Sequence, residues 1–298
     1  MSTLGLPTPL PLGEAVEGVV DWLLDHAQPL FDLVFRLVDG LTGALESLLL
    51  LPPPWLAVLA IALLGAWRIG LGFALLSLLA LAVVVGIGLW VPMMATLALV
   101  LAATLICLAV GFPLGIFCAG SGRLWRLVRP LLDLMQTMPA FVYLIPAVMF
   151  FSTGRVPGTI ATVIFAMPPA VRLTRLGLRE VPGDLIEAGL AYGCTPRQLL
   201  WKVQIPQALP TLMAGLNQTI LLALSMVVIA SMIGAGGLGD VVLRGIQQLD
   251  VGLGFEGGIA VVILAVILDR LSQSLGGRPS RGPGRRLRDL AELWGVSR

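Results

Sequence analysis

The first fifty residues carry apolar side chains at every third or fourth position, a spacing that predicts an amphipathic helical region over 14–51. Its opposite face is acidic, with side chains such as Asp21, Asp32 and Asp39. Pro29 is expected to kink the helix. A helix of this kind can lie on the membrane surface or pack against the rest of the protein. Because anionic headgroups would repel an acidic face, we favour packing against protein.

After Pro52, Pro53 and Pro54 the pattern changes to long apolar runs. A hydrocarbon core of about 30 Å needs roughly 20 apolar residues to cross it. Seven stretches are candidate membrane spans: 55–67, 69–90, 93–119, 131–151, 156–176, 208–233 and 255–272. The first stretch is short, so six spans is the alternative count. The pattern therefore predicts an all-α polytopic membrane protein with an N-terminal amphipathic helix.

Composition agrees with this prediction and narrows the chemistry. The chain is 57% hydrophobic and 12% charged, with a mean hydropathy of +0.96, whereas soluble domains carry about 25% charged residues. Cys107, Cys118 and Cys194 lack metal-ligand spacing, and His26 is the single histidine. We therefore expect no metal site and no catalytic residues, since zinc and Ser-His arrangements need more ligands or bases than the chain offers.

The orientation follows from lysine and arginine, which are enriched on the cytoplasmic side of membrane proteins. With seven spans, sixteen of the nineteen basic residues fall on the side of a polar segment at 181–206, and only Arg36, Arg155 and Arg244 fall on the other. The N-terminus is thus predicted outside and the C-terminus in the cytoplasm. The division that results is 1–51 (tail and amphipathic helix), 52–90 (two accessory spans), 91–275 (transmembrane core) and 276–298 (basic cytoplasmic tail).

The polar segment 181–206 stands out in this apolar chain and begins with helix-start signals. Pro182-Gly183 should end the preceding helix, and Asp184 can cap the next one with Glu187 three residues later. Gly193 is suited to the positive φ of a helix C-terminal turn.

A second short helix is predicted to follow at once. Thr195 is a candidate N-cap, with Pro196 at the first helical position and Gln198 to complete a capping box. Ile205-Pro206 is expected to end this helix before the next span. The segment is then either a well-capped loop or a helical hairpin that fits a groove on a soluble partner.

The hairpin resembles a known element. Glu187-Ala188, Gly193 and Ile205-Pro206 look like the EAA loop of ABC importer permeases, although Gly189 stands where the family has a second alanine and the Ile-Pro spacing is slightly compressed. The resemblance implies that Glu187, Ala188, Gly189, Gly193, Ile205 and Pro206 couple the chain to an ATPase subunit. It also implies an ABC importer type I permease core.

Three further stretches, 133–146, 165–174 and 230–239, resemble permeases for glycine betaine, proline betaine and choline in the bacterial inner membrane. Such permeases work as homodimers with two ATPase subunits and a substrate-binding protein outside the cytoplasm. The chain has no G-x-x-x-x-G-K-[ST] loop. ATP and Mg²⁺ are accordingly expected on the partner ATPase, with no cofactor on this chain and no nucleic-acid partner.

Polar residues inside apolar spans are candidates for a translocation path, because such positions are costly and often functional. The candidates lie in the fourth and sixth spans: Gln136, Tyr143, Asn217, Gln218, Ser225, Met226 and Ser231. The alternative interpretation is hydrogen bonding between helices, which such side chains also provide. For the sixth span as a whole we favour the path.

A glycine-dense segment follows the sixth span. Gly234, Gly236, Gly237 and Gly239 fall on the outer side in the predicted topology, which argues against nucleotide binding there. They form either a simple turn or an outer gate that contacts the binding protein.

Two other classes of protein are alternatives to the importer subunit. A secondary transporter or channel for small zwitterions should bury ionisable residues in mid-span for ion coupling, yet Asp133 and Asp269 lie near span ends. An intramembrane enzyme would need a nucleophile–base pair or a metal. The sequence favours a permease subunit that takes up osmoprotectant quaternary amines.

Overall fold

A computed structural model describes residues 12–276, which form α-helices joined by short turns. Residues 1–11 and nearly all of the predicted basic tail 276–298 lie outside this range. The helices are α1 Leu12–His26, α2 Gln28–Leu50, α3 Pro54–Arg68, α4 Leu71–Gly86, α5 Trp90–Gly120, α6 Gly122–Thr137, α7 Ala140–Phe151, α8 Arg155–Arg179, α9 Gly183–Ala191, α10 Pro196–Leu199, α11 Ile205–Ser225, α12 Val227–Ser231, α13 Gly237–Gln248 and α14 Val251–Gly276. A π-helical turn, Leu200–Gln204, joins α10 to α11. The all-α prediction is confirmed.

The core is a bundle of α5, α8, α11 and α14 held together at small residues. Gly111 and Gly115 of α5 meet Ala170 and Thr174 of α8, so these two helices run parallel. In α11, Ala208 packs on Gly177, near the end of α8, so α11 runs antiparallel to α8. Small side chains let helix backbones approach closely, which is how membrane helices gain packing energy without a hydrophobic driving force between them.

Four helices are long and apolar enough to cross a membrane: α5, α8, the continuous α10–α11 segment and α14. The count rises to six if α2 with α3, and α6 with α7, are each taken as one bent span. The first two predicted spans fall on α3 and α4, which have 15 and 16 residues. At about 1.5 Å per residue these helices are shorter than the hydrocarbon core.

The predicted span 131–151 is not one straight helix, because the structure divides it into α6 and α7 with a bend of 101° between them. The break falls at Met138-Pro139. Proline has no backbone N–H and forces the residue before it out of the helical region, and Met138 is accordingly extended, with φ −71° and ψ 138°. The Tyr143 hydroxyl donates to the Leu134 carbonyl across the bend at 3.1 Å.

The boundaries of the sixth span also differ from the prediction of 208–233. The helix is continuous from Pro196 and ends at Ser225. After Met226 the chain forms the single turn α12 and then α13. The end of the bundle that carries α9 and α10 is called the hairpin end below, and the end that carries the 234–239 loop is called the far end.

The N-terminal helical region packs against protein, as predicted, and it breaks at Ala27, two residues before Pro29. Helix α2 contacts α5, α7 and α8, and buries Val38 and Thr42. Two carboxylates on its acidic face pair with one arginine at the far end. Arg155, at the start of α8, donates from Nε to Asp39 at 2.7 Å and from Nη1 to Glu46 at 3.2 Å. These ion pairs hold α2 against the transmembrane core.

Candidate coupling hairpin and translocation path

The first helix of the hairpin, α9, begins at Gly183 with Pro182 in the cap position. No side chain caps it, so the predicted Asp184–Glu187 capping box is wrong. Pro182 has extended backbone angles, and the helix therefore starts one residue before Asp184, which lies in the first turn. Glu187 is exposed and makes no side-chain hydrogen bond or ion pair within the described part of the chain. The fold does not need its carboxylate.

The turn after α9 has the geometry that the sequence predicted for Gly193, whose φ is +77°. The Cys194 N–H donates to the Gly189 carbonyl at 3.0 Å, and the Gly193 N–H donates to the Leu190 carbonyl at 2.9 Å. This pair of bonds is the Schellman motif, which satisfies the last carbonyls of a helix and needs a left-handed residue at its centre. Gly193 fills that role, with open space around its Cα.

The second helix of the hairpin starts with the predicted capping box. The Gln198 N–H donates to Thr195 Oγ1 at 3.4 Å, and the Thr195 N–H donates to Gln198 Oε1 at 2.9 Å. Two backbone donors at the helix start are satisfied by these reciprocal bonds. The hairpin is closed by Gly189, where a Cβ atom would come within 2.7 Å of a Leu199 methyl. Glycine in place of the family's alanine thus permits close packing of Leu199 on α9.

The predicted helix end at Ile205-Pro206 is wrong. The Ile205 N–H donates to the Leu200 carbonyl five residues back, which is a π-helical bond. A π turn admits one extra residue, and the helix thereby continues past Pro206, which has no N–H to donate. The second helix of the hairpin, α10, and α11 form one continuous helical segment of 30 residues, Pro196–Ser225, as a result. Sequence periodicity alone gave no signal for this turn.

The hairpin exposes a surface that sequence reasoning did not single out as a site. Tyr192 is 90% exposed and Trp201 is 65% exposed, and Leu190 is also exposed on α9. Large aromatic side chains are enriched where proteins contact partners. Glu187 and Ala188 of α9 are exposed as well.

The seven path candidates divide into three groups in the structure. Gln218 and Ser225 are exposed on α11, seven residues apart, and Gln136 is exposed near the end of α6. Tyr143 and Met226 pack in one buried cluster with Ala161, and Ser231 is buried on α12. The third group is Asn217 alone, which is turned towards α14.

Asn217 belongs to a polar network that the sequence analysis did not assemble. Its Nδ2 donates to Asp269 Oδ1 at 3.0 Å, and its Oδ1 accepts from Ser272 Oγ at 2.6 Å. Gln273 also donates to the Asp269 carboxylate, at 2.8 Å. These bonds tie α11 to α14 near the hairpin end. The sequence places Asp269 near a span end but does not predict this bond, because its partner Asn217 lies 52 positions away in the chain.

The glycine segment at the far end forms a turn that is bonded to two neighbouring helices. Gly234, Gly236 and Gly237 have φ values of +84°, +76° and +74°. The Leu238 N–H donates to Thr96 Oγ1 at 2.8 Å, and the Gly154 N–H donates to the Ile233 carbonyl at 2.8 Å. The segment connects the starts of α5 and α8 through these two bonds.

A cavity of about 360 Å³ lies between this loop and α2. Thr42, Glu46 and Arg155 line it together with Gly234–Gly237. Among residues 12–276, no group of three or more His, Cys, Asp or Glu side chains is arranged to hold a metal ion.

Comparison with known proteins places this architecture in a family. Residues 111–280 match the model of the binding-protein-dependent transport system inner membrane component. The chain is 53% identical over 280 residues to the Escherichia coli K12 glycine betaine/proline betaine transport system permease protein ProW, covering 94% of this chain and 78% of that one. It is 48% identical over 273 residues to the glycine betaine/carnitine transport permease protein GbuB of Listeria monocytogenes, covering 90% and 96%.

A solved structure shares the fold. An inward-facing structure of the MetNI methionine ABC transporter contains a chain that superposes with a TM-score of 0.54 at 26% identity, over 68% of this chain and 95% of that one. The fold is that of an ABC importer permease, and such a permease is a transporter subunit, whose ATPase is a separate chain. This chain belongs to the family of binding-protein-dependent transport system inner membrane components.

Proposed function

We propose that this chain is the permease of an ATP-driven importer for glycine betaine, proline betaine or a related quaternary amine. The relatives named above carry these substrates in their descriptions, at 48–53% identity over nearly the whole chain. The structural observation that carries the coupling role is the hairpin. It is fixed by local capping bonds, it exposes Glu187, Ala188 and Tyr192, and it continues without a break into the transmembrane helix α11.

The continuous helix gives a physical route from ATPase to membrane. A force applied to the hairpin by a bound ATPase would act directly on α11, since the π turn preserves the helical connection. The Asn217–Asp269 network would pass part of that displacement to α14. We assign Glu187, Ala188, Gly189, Gly193, Ile205 and Pro206 to this coupling element.

The translocation path is proposed along the exposed polar side chains of α11 and α6. Gln218 and Ser225 are exposed on α11 of a single copy of the chain. Gln136 is exposed on α6, where its Oε1 accepts from Arg172 Nη1 at 2.6 Å. Polar side chains on membrane helices normally face a protein interface or a water-filled cavity, because contact with lipid tails is unfavourable. A second copy of the chain would cover this face, so a homodimer with two ATPase subunits is expected. The other four candidates are less exposed and would hold the path-lining helices in place: Asn217, Tyr143, Met226 and Ser231.

The far end is proposed to face outside, with the N-terminus, and the hairpin end to face the cytoplasm, with the C-terminus. The distribution of lysine and arginine supports this orientation. Gly234, Gly236, Gly237 and Gly239 would then form the outer gate or contact the substrate-binding protein. Within this assignment 52–90 are accessory spans and 91–275 form the permease core.

Transport by the reconstituted complex tests the substrate. The chain would be placed in proteoliposomes with its ATPase and binding protein, and uptake of labelled glycine betaine, proline betaine, choline and carnitine would be compared. We expect ATP-dependent uptake of at least one of these compounds, and no uptake without the ATPase. Uptake that is driven by an ion gradient and indifferent to ATP would support the secondary-transporter alternative and contradict the proposal.

A further inference from the structure

A basic cavity of about 340 Å³ lies between α6 and α8, away from the hairpin and the far-end loop. Arg129, Arg172 and Arg175 line it, together with Trp125, Asp133 and two leucines. Three guanidinium groups therefore face a single carboxylate. Arg172 donates from Nη2 to Asp133 at 2.5 Å and from Nη1 to Gln136 Oε1 at 2.6 Å. Asp133 pairs more loosely with Arg129, at 3.8 Å. Positive charge in the cavity exceeds what the chain itself neutralises.

Arg175 is the least satisfied of the three arginines. Its guanidinium lies 4.1 Å from the centre of the Trp125 ring, a cation–π contact. Its Nε is buried and has no hydrogen-bond partner among the described residues. A buried donor without a partner is costly, and such groups are usually satisfied by water, an ion or a ligand. The stacking on Trp125 holds this donor group at the cavity.

The depth of the cavity in the membrane follows from the two helices that form it. Helix α8 has 25 residues, a length of about 37 Å, which exceeds the hydrocarbon core. Arg175 lies one turn, about 6 Å, from the end of α8. It is therefore at the level where lipid phosphates meet the acyl chains.

Helix α6 gives an independent indication of the same depth. It carries a stripe of exposed leucines, Leu127, Leu131 and Leu134, beside arginines, and it is bent 101° away from α7. An amphipathic helix with leucines on one side and basic residues on the other is typical of a segment that lies in the membrane interface. The apolar walls of the cavity, Leu173 and Leu176, suit the upper part of an acyl chain.

We infer that this cavity binds the phosphate of an anionic phospholipid, with Arg129, Arg172 and Arg175 as its ligands and Trp125 as the wall that orients Arg175. Arginine forms paired, charge-assisted hydrogen bonds with phosphate oxygens. Basic pockets between membrane helices are known sites for acidic headgroups. This inference is independent of the proposed substrate and of the direction in which the chain crosses the membrane.

The test uses the full chain purified in detergent and native mass spectrometry with added lipid. The probes are phosphatidylglycerol, phosphatidylcholine with identical acyl chains, and inorganic phosphate. Arg175→Gln and Arg129→Gln each remove one ligand. Arg244→Gln is the matched control, because Arg244 is 52% exposed at the far end and pairs with Asp240, four residues away on the same helix. Arg129 is 66% exposed, so its replacement should leave the fold intact.

We expect wild type and Arg244→Gln to retain phosphatidylglycerol and to bind phosphatidylcholine much more weakly. Each of the other two variants should bind phosphatidylglycerol about tenfold less tightly, the loss expected for one charge-assisted hydrogen bond. Equal binding of phosphatidylglycerol by wild type, Arg175→Gln and Arg129→Gln would overturn the inference. Displacement of the lipid by millimolar inorganic phosphate would also overturn it, by making the cavity a site for a soluble anion.

Discussion

The two glycine-bearing turns of this protein reach similar backbone angles for different reasons. Gly193, in the hairpin, has φ +77°, and nothing lies within 4 Å of a Cβ placed on it. Gly237, at the far end, has φ +74°, but a Cβ there would collide with Thr96. The hairpin turn is determined locally, by backbone angle and capping bonds. The far-end loop is determined by tertiary packing as well, so it can change only if α5, α8 and α12 also move.

The largest effect is expected from Gly239→Ala at the far end. A Cβ atom at this buried position would overlap the Val227 carbonyl, which is backbone and cannot rotate away. We expect a loss of about 3 kcal/mol or more in the free energy of unfolding, seen as a lower midpoint of thermal unfolding in detergent. Gly258→Ala is the control, because nothing lies within 4 Å of a Cβ on that α14 glycine. If both variants unfold at the same temperature, the far-end loop is not tightly packed.

Gly193→Ala should have a smaller effect, because only the backbone angle is unfavourable there. A left-handed conformation costs a residue with a Cβ about 1–2 kcal/mol. Gly193→Asn should recover part of the loss, since asparagine tolerates this conformation better. Thermal unfolding of the three proteins checks the order. A loss as large as that of Gly239→Ala would contradict the distinction between the two turns.

Thr195→Ala tests the second local device of the hairpin. Loss of the N-cap should cost about 1 kcal/mol, and because the cap lies at the start of a continuous helix, α10 should fray while α11 stays intact. Hydrogen exchange of the 195–204 amides measures this directly. We expect faster exchange there and unchanged exchange in 210–225. Faster exchange throughout α11 would show that the hairpin and the membrane helix unfold as one unit.

Arg155→Gln should have the smallest effect and should depend on salt. Its two ion pairs join side chains that are 29–39% exposed, so each is worth about 1 kcal/mol or less. Salt screens such pairs. The difference in unfolding midpoint between wild type and Arg155→Gln should therefore shrink when sodium chloride is raised from 0.05 to 1 M, because the Debye length falls from about 14 Å to about 3 Å. A difference that is constant with salt would mean that Arg155 acts through packing.

The difference between the two glycine turns also explains which features could be predicted from the sequence. The Gly193 turn and the Thr195–Gln198 capping box are local, and the residue types at fixed spacing were enough to predict both. The apolar runs predicted the long helices for the same reason. The break at Met138-Pro139 was missed because proline inside a membrane helix is often tolerated, and only the tertiary structure decides whether the helix bends or breaks.

Other features depend on residues that are far apart in the chain. The Asn217–Asp269 network and the Arg155 ion pairs join positions separated by 52 to 116 residues. The π turn at Leu200–Gln204 has no residue signature, and periodicity therefore could not predict that α11 continues through Pro206. Glu187 is the residue for which the sequence prediction and the structure differ most. The capping role fails, which leaves an exposed carboxylate with no structural partner in the described chain.

The most direct test of the coupling account is Glu187→Arg in the complex with the ATPase. Because the Glu187 side chain makes no hydrogen bond or ion pair with the rest of residues 12–276, the variant should insert normally and unfold at the wild-type temperature, yet lose most ATP-dependent uptake. Glu180→Arg is the matched control, an exposed glutamate just before the hairpin, and it should transport as wild type does. Uptake by Glu187→Arg at the wild-type rate, in a folded complex, would contradict the assignment of this hairpin as the site that couples the permease to ATP.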